Sequence, residues 1–329
     1  MLWKIIVDKG PDLSAMQEAR DFLAGKIIKT PVLELSSTKI KGLMPLEANV
    51  RLKLELFQQT GSFKSRGALL AINKLTRSQK EKGVTAVSAG NHALAVSWAA
   101  MCAKTNAKVV MLETSDPLRI EGCRNFGAEV ILSPDVRNAF SLVEEIAESE
   151  GRAILKPFDS KEMILGSASC GLEIMEDFPE LEVAIVPVGG GGLISGIAAA
   201  IKRSNPSTIV YGIEPEGADS MYQSFQTHRA TKLEKVDTIA DSLGAPMTMK
   251  YSLGVAQSFV DAIVRVKDEE LVSAMKLMRD KLNLMVEPAC AASLAGLLGP
   301  LKEMVSKKNV SVIACGSNIS SERYQKLVQ

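Results

Sequence analysis

Short apolar runs alternate along this chain with stretches that have helical periodicity. Residues 50–57 alternate between apolar and polar positions, as a half-buried strand does. Apolar runs with the length of buried strands occur at 84–88, 108–112, 129–132, 153–155, 183–188, 209–213 and 310–314. Helical patterns lie between them, among others at 68–75, 94–102 and 194–202. This alternation predicts an α/β fold with mainly parallel sheets flanked by helices.

Polar turns follow several of these strands, at the sheet edge where α/β proteins bind ligands. The turn at 60–67 places Lys64 between a predicted strand and a predicted helix. A lysine there can project into a cleft, where desolvation favours the neutral amine that Schiff-base chemistry requires. Taken alone, the turn is more typical of a solvated lysine at the start of a helix.

Two other turns offer backbone amides to an anion. Residues 88–93 precede a predicted helix, so their amides favour a carboxylate, and Asn91 and His92 add side-chain donors. Residues 188–193 contain four successive glycines after a buried strand, which allows close approach to a phosphate. The loop lacks the lysine of a nucleotide P-loop. A dinucleotide-binding site remains an alternative. Such a site has an acidic residue about twenty positions further on, and Glu214 lies near that position.

Composition excludes several other classes of protein. The hydrophobic fraction of 46% and the charged fraction of 23% are ordinary for a globular protein, and a net charge of +1 favours neither a nucleic-acid nor a membrane partner. The N-terminus lacks a signal-peptide pattern, and the apolar stretches are too short or too interrupted to span a bilayer. Five cysteines without CxxC spacing predict a reducing, cytoplasmic location. Two histidines argue against a zinc site.

Taken in order, the motifs resemble those of pyridoxal-phosphate enzymes of fold type II, the tryptophan-synthase β-like group. Within that group they are most similar to serine/threonine dehydratases and serine racemase. The resemblance covers nearly the whole chain and rests on residues 30–31, 59–64, 88–92, 157–159, 189–192, 238–241, 286–288 and 315–318. It implies two lobes, each with a mainly parallel twisted sheet. Residues 1–81 and 159–329 would form a large cofactor-binding domain, and residues 82–158 a small inserted domain.

The resemblance also implies the role of individual residues. Lys64 would form the Schiff base with pyridoxal 5'-phosphate and then remove the Cα proton of the substrate. Phe63 would lie against the pyridine ring, and Asn91 would bond the phenolic oxygen. The residues that would bind the phosphate are Gly189, Gly190, Gly191, Gly192 and Leu193. The residues that would bind the substrate are Ser88, Ala89, Gly90, Asn91 and His92.

Two positions bear on the type of reaction. Cys315 would face the pyridine nitrogen, where a thiol is too weak a donor to hold that nitrogen protonated. This favours loss of a β-hydroxyl over transamination. Ala89 stands where serine racemase carries a second serine, and a methyl group cannot supply a proton on the face opposite the lysine.

The sequence therefore predicts an L-threonine/L-serine ammonia-lyase that acts on small hydroxy amino acids. The close alternatives are a 3-hydroxyaspartate dehydratase and a serine racemase. Alternatives of another class are a catalytically inactive metabolite-binding protein and an NAD-binding protein. Three departures from the family pattern, at 166–169, Lys156 and Ser242, leave the substrate side chain open.

The resemblance also implies a cation site at Glu214, Ala218 and Ser220. A single carboxylate with a hydroxyl and carbonyls favours a monovalent ion, K⁺, over divalent Mg²⁺ or Ca²⁺. The resemblance further implies a homodimer.

Overall fold

The computed structural model describes residues 10–329, so the first nine residues of the predicted segment 1–81 lie outside the described residues. The strands are β1 Val32–Glu34, β2 Asn49–Lys53, β3 Val84–Val87, β4 Ala107–Leu112, β5 Glu129–Ser133, β6 Ala153–Ile154, β7 Val183–Pro187, β8 Ile209–Pro215, β9 Ala262–Val266 and β10 Asn309–Ile313. The helices are α1 Leu13–Leu23, α2 Thr38–Lys41, α3 Lys64–Asn73, α4 Arg77–Lys82, α5 Asn91–Cys102, α6 Pro117–Asn125, α7 Val136–Glu150, α8 Lys161–Asp177, α9 Gly192–Ser204, α10 Ser220–Thr227, α11 Lys250–Phe259, α12 Asp268–Leu282, α13 Pro288–Leu298 and α14 Ser321–Val328.

Within the described residues these strands form two sheets. The larger has the order β1-β2-β10-β7-β8-β9, in which β1 is antiparallel to β2 and the other neighbours are parallel. The smaller has the order β5-β4-β3-β6 and is parallel throughout. The predicted α/β class with mainly parallel sheets is confirmed. The smaller sheet falls within the segment 82–158, whose limits as a domain stay a prediction.

The run at 50–57 is a strand for only part of its length. Strand β2 ends at Lys53, and residues Glu55–Phe57 form a turn of 3-10 helix. Glu55 is completely buried, although alternation would place it on a solvated face. The reason is an ion pair, because the two carboxylate oxygens of Glu55 accept from Nε and Nη2 of Arg66 at 2.7 and 2.8 Å.

Helices α3 and α8 pack closely, and this contact sets the position of the turn that carries Lys64. A methyl group added to Gly166 of α8 would lie 2.4 Å from the backbone nitrogen of Gly67 in α3. Both helices contribute to an apolar cluster that includes the inner face of the smaller sheet. The segment 166–169, which departs from the family pattern, therefore lies in a helix-packing interface.

Candidate active site

Lys64 is the first residue of α3 and lies where the larger sheet ends. The amide of Phe63 donates to the carbonyl of Cys315 at 3.2 Å, and Ser62 forms an isolated bridge with Gly316. These contacts tie the start of α3 to the end of β10. The half-buried Lys64 side chain donates through Nζ to the carbonyl of Pro157. Desolvation lowers the pKa of Lys64 to about 8, so a substantial neutral fraction is present near that pH.

Loading of the free enzyme with pyridoxal phosphate is expected to depend on this pKa. The neutral amine is the nucleophile, so the initial rate of covalent loading should rise with pH and reach half its maximum near pH 8. Stopped-flow absorbance across a pH series measures this rate, with Nα-acetyl-lysine in solution as the control for an unperturbed amine. A midpoint equal to that of the control would contradict the desolvated environment of Lys64.

The glycine loop runs between β7 and α9, as predicted. Gly191 has φ 89°, a left-handed conformation that favours glycine. A methyl group on Gly190 would lie 2.3 Å from the ring of Phe158, so the loop also closes on that ring. The first amides of α9 have no acceptor within the helix. A tight loop with free amides and no side chains fits a phosphate group.

Replacement of Gly190 by alanine is expected to weaken cofactor binding about tenfold or more. The added methyl meets the Phe158 ring at 2.3 Å, and overpacking of this kind costs about 1–3 kcal/mol. Fluorescence titration of the free enzyme with pyridoxal phosphate gives the affinity.

The matched control for this loop variant is Gly254→Ala in helix α11. A methyl on buried Gly254 meets no atom within 4 Å, so this variant should bind the cofactor normally. Equal affinity in the two variants would contradict the assignment of the loop.

The predicted substrate loop connects β3 to α5. The amide of Gly90 donates to the hydroxyl of Ser88 at 3.1 Å, and Ala89 is half-buried between them. Asn91 opens the helix and is buried. Its side chain donates through Nδ2 to Glu287 at 2.6 Å and accepts through Oδ1 from Asn318 at 2.7 Å. The loop and Asn91 therefore lie at the meeting point of the two sheets.

His92 is arranged differently from the expected substrate donor. Nε2 lies 2.8 Å from the carbonyl of Leu155, and because a carbonyl only accepts, Nε2 carries the proton. Desolvation and the positive charge of Lys64 lower the pKa of His92 to about 3, so the ring is neutral. Nδ1 is buried without a partner and is an acceptor. The imidazole has no N–H left for a carboxylate here, whereas the backbone amide of His92 in the first turn of α5 remains suited to it.

A buried polar network next to Asn91 was not predicted from the sequence. Arg119 of α6 donates to Asp241 at 2.8 Å and to Glu287 at 2.7 Å. The hydroxyl of Ser242 donates to Glu287 at 2.9 Å. Asp241 and Glu287 belong to motifs on which the family resemblance rests, and this was the sequence signal that could have pointed to them. Arg119 lies in a short, mainly polar helix, and no local pattern distinguishes it from a solvated arginine.

Cys315 follows β10 and is buried. The neighbouring thiol of Cys290 and burial raise the pKa of Cys315 well above its usual range. Helix α13 runs beside β10 here, since Ser293 donates to the carbonyl of Ile313 at 2.7 Å. Cys315 is therefore a neutral thiol, which agrees with the weak donor expected at the pyridine nitrogen.

Glu214 is the next-to-last residue of β8 and is completely buried. It accepts from the backbone amides of Met221 and Tyr222 at 3.0 and 2.7 Å, in the first turn of α10. Burial raises the pKa of Glu214 well above its usual range. The neighbouring Asp219 turns away to form an ion pair with Arg265 at 3.0 Å. Glu214 is thus held by a helix terminus, and this arrangement does not favour the ribose contact of a dinucleotide site.

The remaining predicted cation ligands lie beside this carboxylate. Ala218 is buried in a 3-10 turn, and the Ser220 hydroxyl lies 3.4 Å from the carbonyl of Ala245. Among residues 10–329 there is no cluster of three or more histidine, cysteine or acidic side chains that could hold a metal ion.

In the same part of the chain, no helix has the length and apolar character needed to cross a membrane.

Comparison with known proteins agrees with the chemistry of these residues. Residues 23–316 match the family model described as pyridoxal-phosphate dependent enzyme. The chain is 42% identical to phenylserine dehydratase of Ralstonia pickettii over 96% of both proteins. It is 36% identical to the catabolic L-threonine dehydratase of Staphylococcus aureus over 96% of this chain and 92% of that one.

Two solved structures extend this similarity to the whole fold. Maize serine racemase superimposes with a TM-score of 0.89 at 32% identity and covers 96% of each chain. Threonine deaminase isoform 2 from Solanum lycopersicum superimposes with a TM-score of 0.87 at 31% identity, covering 97% of this chain and 94% of that one. The predicted fold type is thereby confirmed.

Proposed function

This chain belongs to the family of pyridoxal-phosphate dependent enzymes, and on that basis we propose that it dehydrates L-threonine and L-serine. The products are 2-oxobutyrate or pyruvate, together with ammonia. The observation that carries the proposal is Lys64, whose pKa is lowered to about 8 at the end of the larger sheet. The glycine loop and Asn91 lie in the same region and fit the two ends of the cofactor.

The cofactor, when bound, supplies an electron sink for the carbanion formed at Cα. Lys64 is the base that removes the Cα proton. The amides at the start of α5 orient the substrate carboxylate, and the glycine loop anchors the phosphate. The β-hydroxyl takes up one proton and leaves as water, which balances the proton that Lys64 removes from Cα, and one water from solvent then hydrolyses the released enamine to keto acid and ammonia.

Ala89 separates dehydration from racemisation. A racemase needs a proton donor on each face of Cα, and the methyl group of Ala89 supplies none on the face opposite Lys64. We therefore expect keto acid and ammonia in equal amounts, with little D-isomer. Keto-acid assays combined with chiral chromatography measure both products. Faster accumulation of D-serine than of pyruvate would overturn the dehydratase and favour the racemase alternative.

Phenylserine is the second candidate substrate, because the relative that is 42% identical is a phenylserine dehydratase. Ser242 lies beside the substrate loop, where it affects which substrate side chain fits. Its hydroxyl donates to Glu287 at 2.9 Å. Values of kcat/KM for L-threonine, L-serine, phenylserine and 3-hydroxyaspartate decide between these substrates. If kcat/KM for phenylserine is tenfold higher or more, phenylserine is the main substrate in place of threonine and serine. The proposed reaction, dehydration, would be unchanged.

We further propose that Glu214, Ala218 and Ser220 bind K⁺. Glu214 is a buried carboxylate whose pKa is raised, so a cation beside it would stabilise the ionised form. The carbonyl of Ala245 lies 3.4 Å from the Ser220 hydroxyl and would add a further oxygen for such an ion. One carboxylate is weak charge for Mg²⁺, which prefers compact octahedral sites.

Addition of K⁺ to an enzyme freed of monovalent ions is therefore expected to raise activity and cofactor retention, and EDTA should leave both unchanged. Activity and bound cofactor are measured across a K⁺ titration, with choline as the inert control. Abolition by EDTA with rescue by Mg²⁺ or Ca²⁺ would show a divalent site instead. The homodimer, the cytoplasmic location and the limits of the small domain stay predictions.

A further inference from the structure

Arg119 connects two parts of the molecule that meet at the candidate site. It lies in α6, which packs beside β5 of the smaller sheet, and its side chain is 2% exposed. Its guanidinium donates to Asp241 at 2.8 Å, to Glu287 at 2.7 Å and to the carbonyl of Asn318 at 2.7 Å. All three acceptors lie outside the smaller sheet: Asp241 in the 3-10 turn between α10 and α11, Glu287 directly before α13, and Asn318 after β10. Arg119 therefore holds the two sheets together beside Asn91.

Glu287 transmits this contact to Asn91. One carboxylate oxygen of Glu287 accepts from Arg119, and the other accepts from Nδ2 of Asn91 at 2.6 Å. Nδ2 of Asn318 donates to Oδ1 of Asn91 at 2.7 Å. These two partners define which end of the Asn91 amide is oxygen and which is nitrogen. The remaining N–H of Asn91 makes only a long contact of 3.5 Å with the hydroxyl of Ser242, which is weak at that distance.

We propose that Arg119 is a positioning residue for the cofactor, acting through Glu287 on Asn91. It holds the Glu287 carboxylate in place, so that the remaining N–H of Asn91 points to the phenolic oxygen of pyridoxal phosphate. The inference rests on the proposed function only in that Asn91 faces that oxygen.

The charges around Glu287 agree with this role. Burial raises the pKa of Glu287 and the charge of Asp241 adds to the rise, whereas Arg119 is the largest influence that lowers it. Asn91 and Ser242 also face the carboxylate as donors, and Cys315 lies near it after β10. Without Arg119 the carboxyl should protonate at a higher pH. A protonated Glu287 presents an O–H, so it no longer fixes the Asn91 amide in one orientation.

The test compares holoenzyme spectra of wild type and Arg119→Gln without substrate. A hydrogen bond to the phenolic oxygen favours the ionised, yellow form of the lysine-linked cofactor over the near-ultraviolet form. In Arg119→Gln we expect a smaller yellow fraction than in wild type. When the pH is lowered, the variant should lose its yellow form at a higher pH than wild type does. We also expect cofactor affinity to fall roughly three- to tenfold, as for a lost hydrogen bond.

Arg323→Gln is the matched control. Arg323 pairs with the same Asp241 oxygen at 3.0 Å and is 34% exposed, but it contacts neither Glu287 nor Asn91. Its holoenzyme spectrum and pH profile should equal those of wild type. Arg119→Lys, which keeps the charge without the planar fork, should give an intermediate spectrum. If Arg323→Gln shifts the spectrum as much as Arg119→Gln does, general contact between the sheets explains the effect and the proposal fails.

Glu287→Gln keeps the test decisive if Arg119→Gln does not fold, as judged by circular dichroism. The glutamine is neutral at every pH, so its yellow fraction should be reduced and should lose its acidic transition. A wild-type spectrum and pH profile in either folded variant would overturn the proposal. A wild-type enzyme that turns yellow but releases no keto acid would instead overturn the dehydratase function and leave this inference standing.

Discussion

Replacement of Lys64 by alanine is expected to abolish keto-acid release, with a fall in kcat of at least about a thousandfold. Lys64 supplies both the covalent link to the cofactor and the base that removes the Cα proton. The glycine loop and Asn91 are unchanged in the variant, so pyridoxal phosphate should still bind, but without the yellow band of the linked form. Activity assays and absorbance spectra of the dialysed variant test these expectations together.

The control for this variant is Lys74→Ala. Lys74 is exposed at the end of the same helix, α3, so its loss should leave both the spectrum and the activity unchanged. Substantial dehydratase activity in Lys64→Ala would show that another group is the base. Retention of the yellow band would show that another lysine carries the cofactor.

Replacement of Arg66 by methionine is expected to lower the free energy of unfolding by about 3–5 kcal/mol. Arg66 is completely buried and donates to Glu55 and Glu173, each at 2.7 Å. Lys53, which is also buried, pairs with Glu173 at 2.7 Å. Removal of Arg66 leaves two buried carboxylates with one cation between them. Urea unfolding followed by circular dichroism measures the loss.

Arg77→Met is the matched control for the buried cluster. Arg77 also pairs with a glutamate, Glu81, but its side chain is 94% exposed, so little stability should be lost. Because Arg66 lies two residues after Lys64, the Arg66 variant should also lose cofactor at a lower urea concentration than Arg77→Met. Equal unfolding midpoints for the two variants would contradict a stabilising role for the buried pairs.

Much of the candidate site could be predicted because its chemistry is local in the sequence. Lys64 and the glycine loop each occupy a turn between a strand and a helix, and such turns have recognisable composition. Their meeting also follows from topology, since the carboxyl ends of parallel strands lie at one edge of a sheet. The fold class followed from the same alternation of strands and helices.

The rest depends on contacts between residues that are distant in the chain. Arg119 and Glu287 are separated by 168 positions, and no local pattern brings them together. Glu55 fits a half-exposed strand in sequence, and only its pairing with Arg66 explains its burial. His92 was expected to donate to the substrate, but its ring N–H donates to the carbonyl of Leu155 instead. In each case the partner of a polar group decides its role.

Lys64 is expected to carry pyridoxal phosphate in this chain. Borohydride reduction of the holoenzyme, followed by proteolysis and mass spectrometry, locates the lysine that carries the phosphopyridoxyl group. We predict a single modified peptide with the group on Lys64, and no such peptide from Lys64→Ala. Modification of a different lysine, or of none in an enzyme that releases keto acid, would contradict this role of Lys64.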